Sequence, residues 1–473
     1  MVDSRKCQVL VIGAGPGGYV AAIRAGQLGL DTIIVEGDKA GGTCLIRGCI
    51  PSKAMIHAAE RFEHLGHHKE GHMGISISGD VSLDMPALVS WKDDIVGRLN
   101  KGVEHLLKSA GAELINGWAT FQNAKNCTVE TADGTISIEA ENVILATGSS
   151  PIELPFMKFD EQFICSSTGA LDLDSLPEKV AVIGGGYIGL ELGIALKRLG
   201  SDVTVIEGLD KVMAIFDDEL RRPLTTWLRK NKVTTHTNCL AQGAELKGGK
   251  VELTWKDGEG KMQSEIFDKV LVTVGRSPNT KGWGLEKMGL RMDASGRFIR
   301  IDNQCKTSMK GVYAIGDVSG EPMLAHRASA QGELVAEIIA GHKRIFDPVA
   351  IPAIVFTEPE IVSVGLTPDE AKEAGEEIIT GKFPLAANGR ALTMEAEKTG
   401  GFVRVVARAS DHVILGVQAT GSHVSELSGE FALALEMGAV LEDIAGTIHA
   451  HPTMTEAFHE GVLKTLGHAI HSA

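Results

Sequence analysis

One pattern of strand, glycine-rich turn, helix, strand and acid is written twice in this chain, and that repeat limits the possible fold more than any other feature. Val9 to Ile12 is a short apolar run of buried-strand type, followed by Gly13-Ala14-Gly15-Pro16-Gly17-Gly18, a helical stretch to about Leu28, and a strand from Thr32 to Val35 that ends in Glu36. The second copy reads Val180 to Ile183, Gly184-Gly185-Gly186-Tyr187-Ile188-Gly189, a helix to Leu199, a strand from Val203 to Ile206, and Glu207. In both copies the acid follows the first glycine by 23 positions. The glycines permit a tight turn, close backbone approach to a pyrophosphate and close helix packing. The helix N-terminus offers unpaired N–H groups and the positive end of its dipole to phosphates. The acid accepts hydrogen bonds from ribose hydroxyls. A single loop of this kind also occurs as a packing turn, whereas two complete strand–turn–helix–strand–acid copies specify two Rossmann-like dinucleotide-binding units. Each copy closes alike, with Val143-Ile144-Leu145-Ala146-Thr147-Gly148 and Val270-Leu271-Val272-Thr273-Val274-Gly275.

The first copy is the longer one. Its extra length holds Gly41-Gly42-Thr43-Cys44-Leu45-Ile46-Arg47-Gly48-Cys49-Ile50-Pro51-Ser52-Lys53 and a helical stretch from about Met85 to Ser109. Cys44 and Cys49 are either a redox pair or two ordinary buried thiols. Residues five apart on an ideal helix have Cα atoms roughly 8.6 Å apart, and a disulfide tolerates only up to about 7 Å. Pairing therefore requires a distorted helix, for which Gly48 is the permissive residue.

At 473 residues the chain has room for about three domains. Its net charge of −15 argues against a nucleic-acid partner, which would call for a basic stripe. No apolar run approaches the length of a membrane span. The polar Met1 to Lys6 stretch leads directly into a strand, so no signal segment is expected. Seven scattered cysteines suit a reducing cytosol, and a cytoplasmic location is expected. Gly311-Val312-Tyr313-Ala314-Ile315-Gly316-Asp317 is a further strand ending in Gly-Asp. From about Pro348 the character changes to β-type runs (351–356, 401–406, 413–417) and later helices starting near Ser425 and Glu442, an α+β domain.

With these motifs in this order, and with His449-Ala450-His451-Pro452-Thr453 and Glu456 near the end, the chain resembles the flavin disulfide reductases, and within them the dihydrolipoyl dehydrogenases. The resemblance runs from Val9 to the C-terminus. It implies an α/β fold with two Rossmann-like dinucleotide-binding domains plus a C-terminal α+β dimerisation domain. The implied division is 1–150 for the first part of an FAD-binding domain, 151–280 for an NAD-binding domain, 281–347 for the return segment of the FAD-binding domain, and 348–473 for the interface domain.

The resemblance further implies FAD at Gly13, Gly15, Gly18, Glu36, Lys53, Thr147, Gly148, Asp317 and Ala325, and NAD at Gly184, Gly186, Gly189, Glu207 and Gly275. Cys49 would be the thiol facing the flavin and Cys44 the one that exchanges with substrate, the two forming a redox disulfide. Lys53, four residues after Cys49 and on the same helical face, would pair with Glu191. His451 would be the base for the substrate thiol, oriented by Glu456, while His449 either packs or orients. The implied reaction oxidises protein-bound dihydrolipoamide and reduces NAD. The implied partners are a second copy of the chain and a lipoyl-bearing acyltransferase or glycine-cleavage carrier protein.

Among relatives, a glutathione reductase favours NADP and calls for arginines after the second strand, where this chain reads Glu207-Gly208-Leu209-Asp210-Lys211. A mercuric reductase would carry a C-terminal cysteine pair that is missing from 467–473. A soluble transhydrogenase need not retain both cysteines, and a flavin-binding sensor need not retain His451 and Glu456. Two positions depart from the family pattern. Ile46 stands where Asn is common, and Ser422-His423-Val424 differs in the third domain.

Overall fold

The computed structural model describes residues 3–68 and 71–472, so Met1, Val2 and Ala473 of the terminal stretches considered above lie outside the described residues. Three principal sheets organise the described residues. In the first, Asp3–Ile12 lies between parallel Thr32–Glu36 and Gly134–Leu145, with Ala112–Asn116 outside Thr32–Glu36. Gly134–Leu145 serves two partners. Its first half pairs antiparallel with Asn126–Thr131 and its last three residues pair parallel with Val312–Ala314. The apolar run at Val9, Leu10 and Val11 is fully buried. The strand itself begins earlier, because Asp3 to Cys7 pair with Ile136 to Ala140. Backbone hydrogen bonding, which apolar patterning does not report, holds that polar extension.

The second copy builds a parallel sheet in the order Thr234–His236, Asp202–Ile206, Lys179–Ile183, Lys269–Val272, Ile164–Cys165. An antiparallel ribbon of Ser149–Pro151 with Arg276–Pro278 joins the two nucleotide units where the chain leaves the first and returns to it. The third sheet is antiparallel, in the order Ala353–Val355, Glu360–Gly365, Ile414–Gly421, Phe402–Arg408, Ile378–Pro384. Two of its strands, Glu360–Gly365 and Ile378–Pro384, are additions to the β-runs visible in the sequence. The helices expected near Ser425 and Glu442 begin at Ser428 and Leu441. The helix Glu456–Thr465 covers this sheet, and its Phe458 ring meets Phe431 edge-on at 5.0 Å.

The two nucleotide units repeat each other at atomic detail. Gly13 and Gly184 take φ of +94° and +100°, in the left-handed region that favours glycine. A Cβ on Gly13 would lie 2.4 Å from the Ala146 carbonyl oxygen, and one on Gly184 2.6 Å from that of Thr273. Both positions therefore require glycine for space as well as for conformation.

Candidate active site

The cysteine segment departs from a single helix where the spacing argument requires it. Gly42–Arg47 forms one short helix, Gly48 breaks it at φ −139° and ψ −110°, and a new helix starts at Cys49 and runs to His68. A Cβ at Gly48 would come within 2.8 Å of the Thr43 carbonyl oxygen, so the break is sterically reserved for glycine. Both cysteines are free thiols in this structure. They lie within hydrogen-bonding reach, and the bond makes them unequal. The thiol of Cys44 donates to Cys49, which holds Cys49 down to about 7; burial opposes this, while the Lys53 ammonium helps. The same bond, together with burial, pushes Cys44 well above the ordinary thiol range. Cys49 is thus the more acidic of the two thiols. Ile46, like Ile50, packs half-buried against the apolar core of the first unit.

Lys53 follows one turn after Cys49 on the same helix. Its Nζ lies 2.8 Å from Glu191 Oε2, on the helix Tyr187–Leu199 of the second unit. Glu191 Oε1 accepts the backbone N–H of Phe356, from the third unit, at 2.9 Å. The Phe356 ring lies under the ammonium, 4.5 Å from its centroid to Nζ. Three separate parts of the chain meet around one charged pair.

A cleft of about 870 Å³ extends from Glu36 and the first glycine loop to Cys44, Cys49, Lys53 and Glu191. Thr147, Gly148, Asp317 and Ala325 stand along its walls. Its volume lies in the range of cofactor pockets, about 300–1,000 Å³. The donor set fits an adenine dinucleotide. Gly15 caps the helix Pro16–Gln27 with open space where its Cβ would be, leaving the helix N-terminus bare for a phosphate. Glu36 accepts the N–H groups of Ala14 at 2.6 Å and Asp38 at 2.9 Å, and burial raises its carboxyl. Gly18 is outside the cleft and packs on the Gly13 carbonyl, the helix-packing role of a third glycine.

The second loop repeats this arrangement, with its own glycines outside the cleft. Gly186 caps its helix with open space at its Cβ position, and Gly189 packs on Gly184. Glu207 accepts the N–H groups of Gly185 and of Leu209, the latter at 2.7 Å, the counterparts of Ala14 and Asp38. Gly275 accepts the Ile152 N–H at 3.0 Å in the ribbon between the units. The nearby cation Lys211 is drawn to Asp218 at 3.4 Å. These residues fit a nicotinamide dinucleotide with a free 2′-hydroxyl.

His451 is not in this cleft. Its side chain is 78% exposed, with Nδ1 2.9 Å from Glu456 Oε1. The second oxygen of Glu456 accepts the Thr453 N–H at 2.8 Å, which locks the turn. The pair has the geometry of a base and its orienter, yet neither residue is among those lining its own chain's thiol cleft. His449 is different. Its side chain is 6% exposed, bonded to Glu430 at 2.9 Å and to the Thr447 carbonyl, with its ring against His459. It packs.

Comparison with known proteins places these features in a family. Residues 7–332 match the pyridine nucleotide-disulphide oxidoreductase model, and residues 351–462 match the dimerisation domain of the same family. A dihydrolipoyl dehydrogenase of Pseudomonas aeruginosa is 51% identical over 98% of this chain and 99% of that protein. One from Geobacillus stearothermophilus is 46% identical over 98% and 97%. The crystal structure of LpdA from Mycobacterium tuberculosis superposes with a TM-score of 0.89 at 27% identity, over 96% of this chain and 99% of that one. The chain belongs to the pyridine nucleotide-disulphide oxidoreductases. It is an oxidoreductase of the FAD- and NAD-using kind.

In this pyridine nucleotide-disulphide oxidoreductase the structure adds residues to those found in the sequence. Half-buried Arg276 donates to Ser149 Oγ at 2.7 Å and to its carbonyl at 2.6 Å, and Ser149 in turn donates to Asp317. Asn279 and Thr147 exchange hydrogen bonds of 2.9 Å across the same ribbon. Tyr187, inside the second glycine motif, lines the cleft with its phenol pushed up to about 12 by burial. Arg276 directly follows Gly275, the one signal available, but its partners lie more than 100 positions away. Among the described residues no helix is long and apolar enough to cross a membrane, and no three metal-ligating side chains cluster.

Proposed function

We propose that this oxidoreductase is a dihydrolipoyl dehydrogenase that oxidises protein-bound dihydrolipoyl groups and passes the two electrons to NAD. The observation that carries this reading is the pair of free thiols, Cys44 and Cys49, set on either side of the Gly48 helix break in a dinucleotide-sized cleft beside the Lys53–Glu191 pair. The near full-length likeness to dihydrolipoyl dehydrogenases supports the substrate.

The residues divide the work as follows. His451 of a second copy, its Nδ1 held by Glu456, accepts the proton of one substrate thiol at Nε2. The thiolate attacks Cys44 Sγ of the Cys44–Cys49 disulfide, breaking the S–S bond and releasing Cys49 as the thiolate. Exchange favours the better leaving thiol, and the low pKa of Cys49 makes it that thiol. The substrate's second thiol attacks the mixed disulfide and closes the oxidised ring, its proton passing to Cys44, which leaves as the thiol while His451 keeps the first proton. Lys53 compensates the charge on Cys49. When bound, FAD would carry the electron pair from the thiol pair to NAD as hydride. Gly13, Gly15, Glu36, Gly148, Asp317 and Ala325 would hold FAD, and Gly184, Gly186, Gly189 and Glu207 would hold NAD. The repulsion between Glu207 and a 2′-phosphate favours NAD over NADP.

The dimerisation-domain match supports a homodimer, with a lipoyl-bearing acyltransferase or glycine-cleavage carrier as the macromolecular partner. A cytosolic location suits an enzyme whose other five cysteines are buried free thiols. The test is steady-state reduction of NAD and NADP by dihydrolipoamide. NAD should be reduced at a far higher kcat/KM. A preference for NADP, or no reaction with the dithiol, overturns the reading.

A further inference from the structure

The Lys53–Glu191 pair is held by a third group whose role nothing above assigns. Glu191 is nearly buried, its side chain 5% exposed, and each oxygen has one partner: Oε2 faces Lys53 and Oε1 takes the Phe356 N–H. Free to rotate, that carboxylate would shift along the ammonium and cancel more of its field at Cys49. Lys53 is less confined, with its side chain 32% exposed and four rotatable bonds toward the cleft. The face of the Phe356 ring occupies the side of the ammonium that water would otherwise take.

Phe356 is itself anchored. Val355 before it pairs with Ile361 in the third sheet, and the buried Thr357 hydroxyl after it donates to the Pro359 carbonyl at 2.7 Å. Two residues on, Glu358 meets Arg198 at 2.9 Å, and Arg198 also meets Glu63 at 2.9 Å. The third unit is therefore bolted to the helices of Lys53 and Glu191 at two points, and Phe356 is the one at the Lys53–Glu191 pair.

We propose that Phe356 is a positioning residue for the redox pair, its ring holding the Lys53 ammonium and its N–H holding the Glu191 carboxylate so that the Lys53 charge stays directed at Cys49. Phe356 acts through Lys53 and does not touch the reacting sulfurs. The inference rests on the proposed thiol chemistry but not on which dithiol is the substrate.

The test uses full-length, FAD-loaded Cys44→Ser enzyme, in which Cys49 is the thiol left at the cleft. Its long-wavelength charge-transfer absorbance is followed against pH. Mono-, di- and trifluorinated phenylalanines are incorporated at position 356, weakening the ring quadrupole at nearly constant volume. The absorbance midpoint should climb with each fluorine, by about half a pH unit across the series. Phe356→Leu should raise it as well, and Phe356→Trp should not. A midpoint indifferent to fluorination overturns the inference while leaving the thiol assignment intact. No charge-transfer band at any pH overturns that assignment and the inference with it.

Discussion

Glu36 and Glu207 hold their loops by the same two backbone N–H groups, and this equivalence turns a shared motif into two different specificities. What separates them is what lies nearby: the first acid lines a cleft that reaches two thiols, while the second is outside that cleft, with the nearby Lys211 drawn to Asp218. The thiols are separated just as finely. Because Cys49 is held near 7, its thiolate is present above that pH and lost below it. The charge-transfer absorbance of the two-electron-reduced enzyme should therefore fade as pH falls through about 7, measured in a pH-jump titration. Cys44→Ser should show the band without any reductant, and Cys49→Ser should lack it. A band in the Cys49 variant instead would reverse the two roles.

Helix ends and helix seams carry the next layer of the argument. The Gly48 break lets two cysteines five positions apart come together, and any side chain there meets the Thr43 carbonyl. Gly48→Ala should cost about 1–3 kcal/mol in denaturant unfolding and slow re-formation of the Cys44–Cys49 disulfide. The seam between the helices Cys49–His68 and Tyr187–Leu199 has the opposite logic. There Arg198 answers Glu63 and Glu358, which are 22% and 14% exposed. Arg198→Met leaves two partly buried carboxylates facing each other, and a loss of about 2–3 kcal/mol is expected from urea unfolding at pH 7.

Across the whole molecule, the thiol site and its candidate base lie apart on one chain. His451 stands exposed on the unit that matches a dimerisation domain, away from the cleft. A two-fold dimer would place each His451 over the other chain's cysteines and give two equivalent sites. Mixing inactive Cys44→Ser and His451→Gln subunits after dissociation should restore activity. The heterodimer then holds one site with Cys44, Cys49 and His451 all intact, and should reach about half of wild-type turnover. No recovery in demonstrated heterodimers would assign His451 to its own chain's thiols.

Local chemistry was legible in the order of residues. The glycine loops, their acids and the thiol pair each depend on a few neighbours along the chain, so their spacing carries them. Even the need for a break at Gly48 follows from helix geometry alone. The Lys53–Glu191 pair came from likeness to a family, not from spacing. Its third member, Phe356, and the chain from Arg276 through Ser149 to Asp317 join segments more than 100 positions apart. No periodicity records such meetings. They arise because the units also share apolar cover, one buried cluster joining Met55, Leu190 and Val355, and that packing dictates which polar groups face one another across the seams.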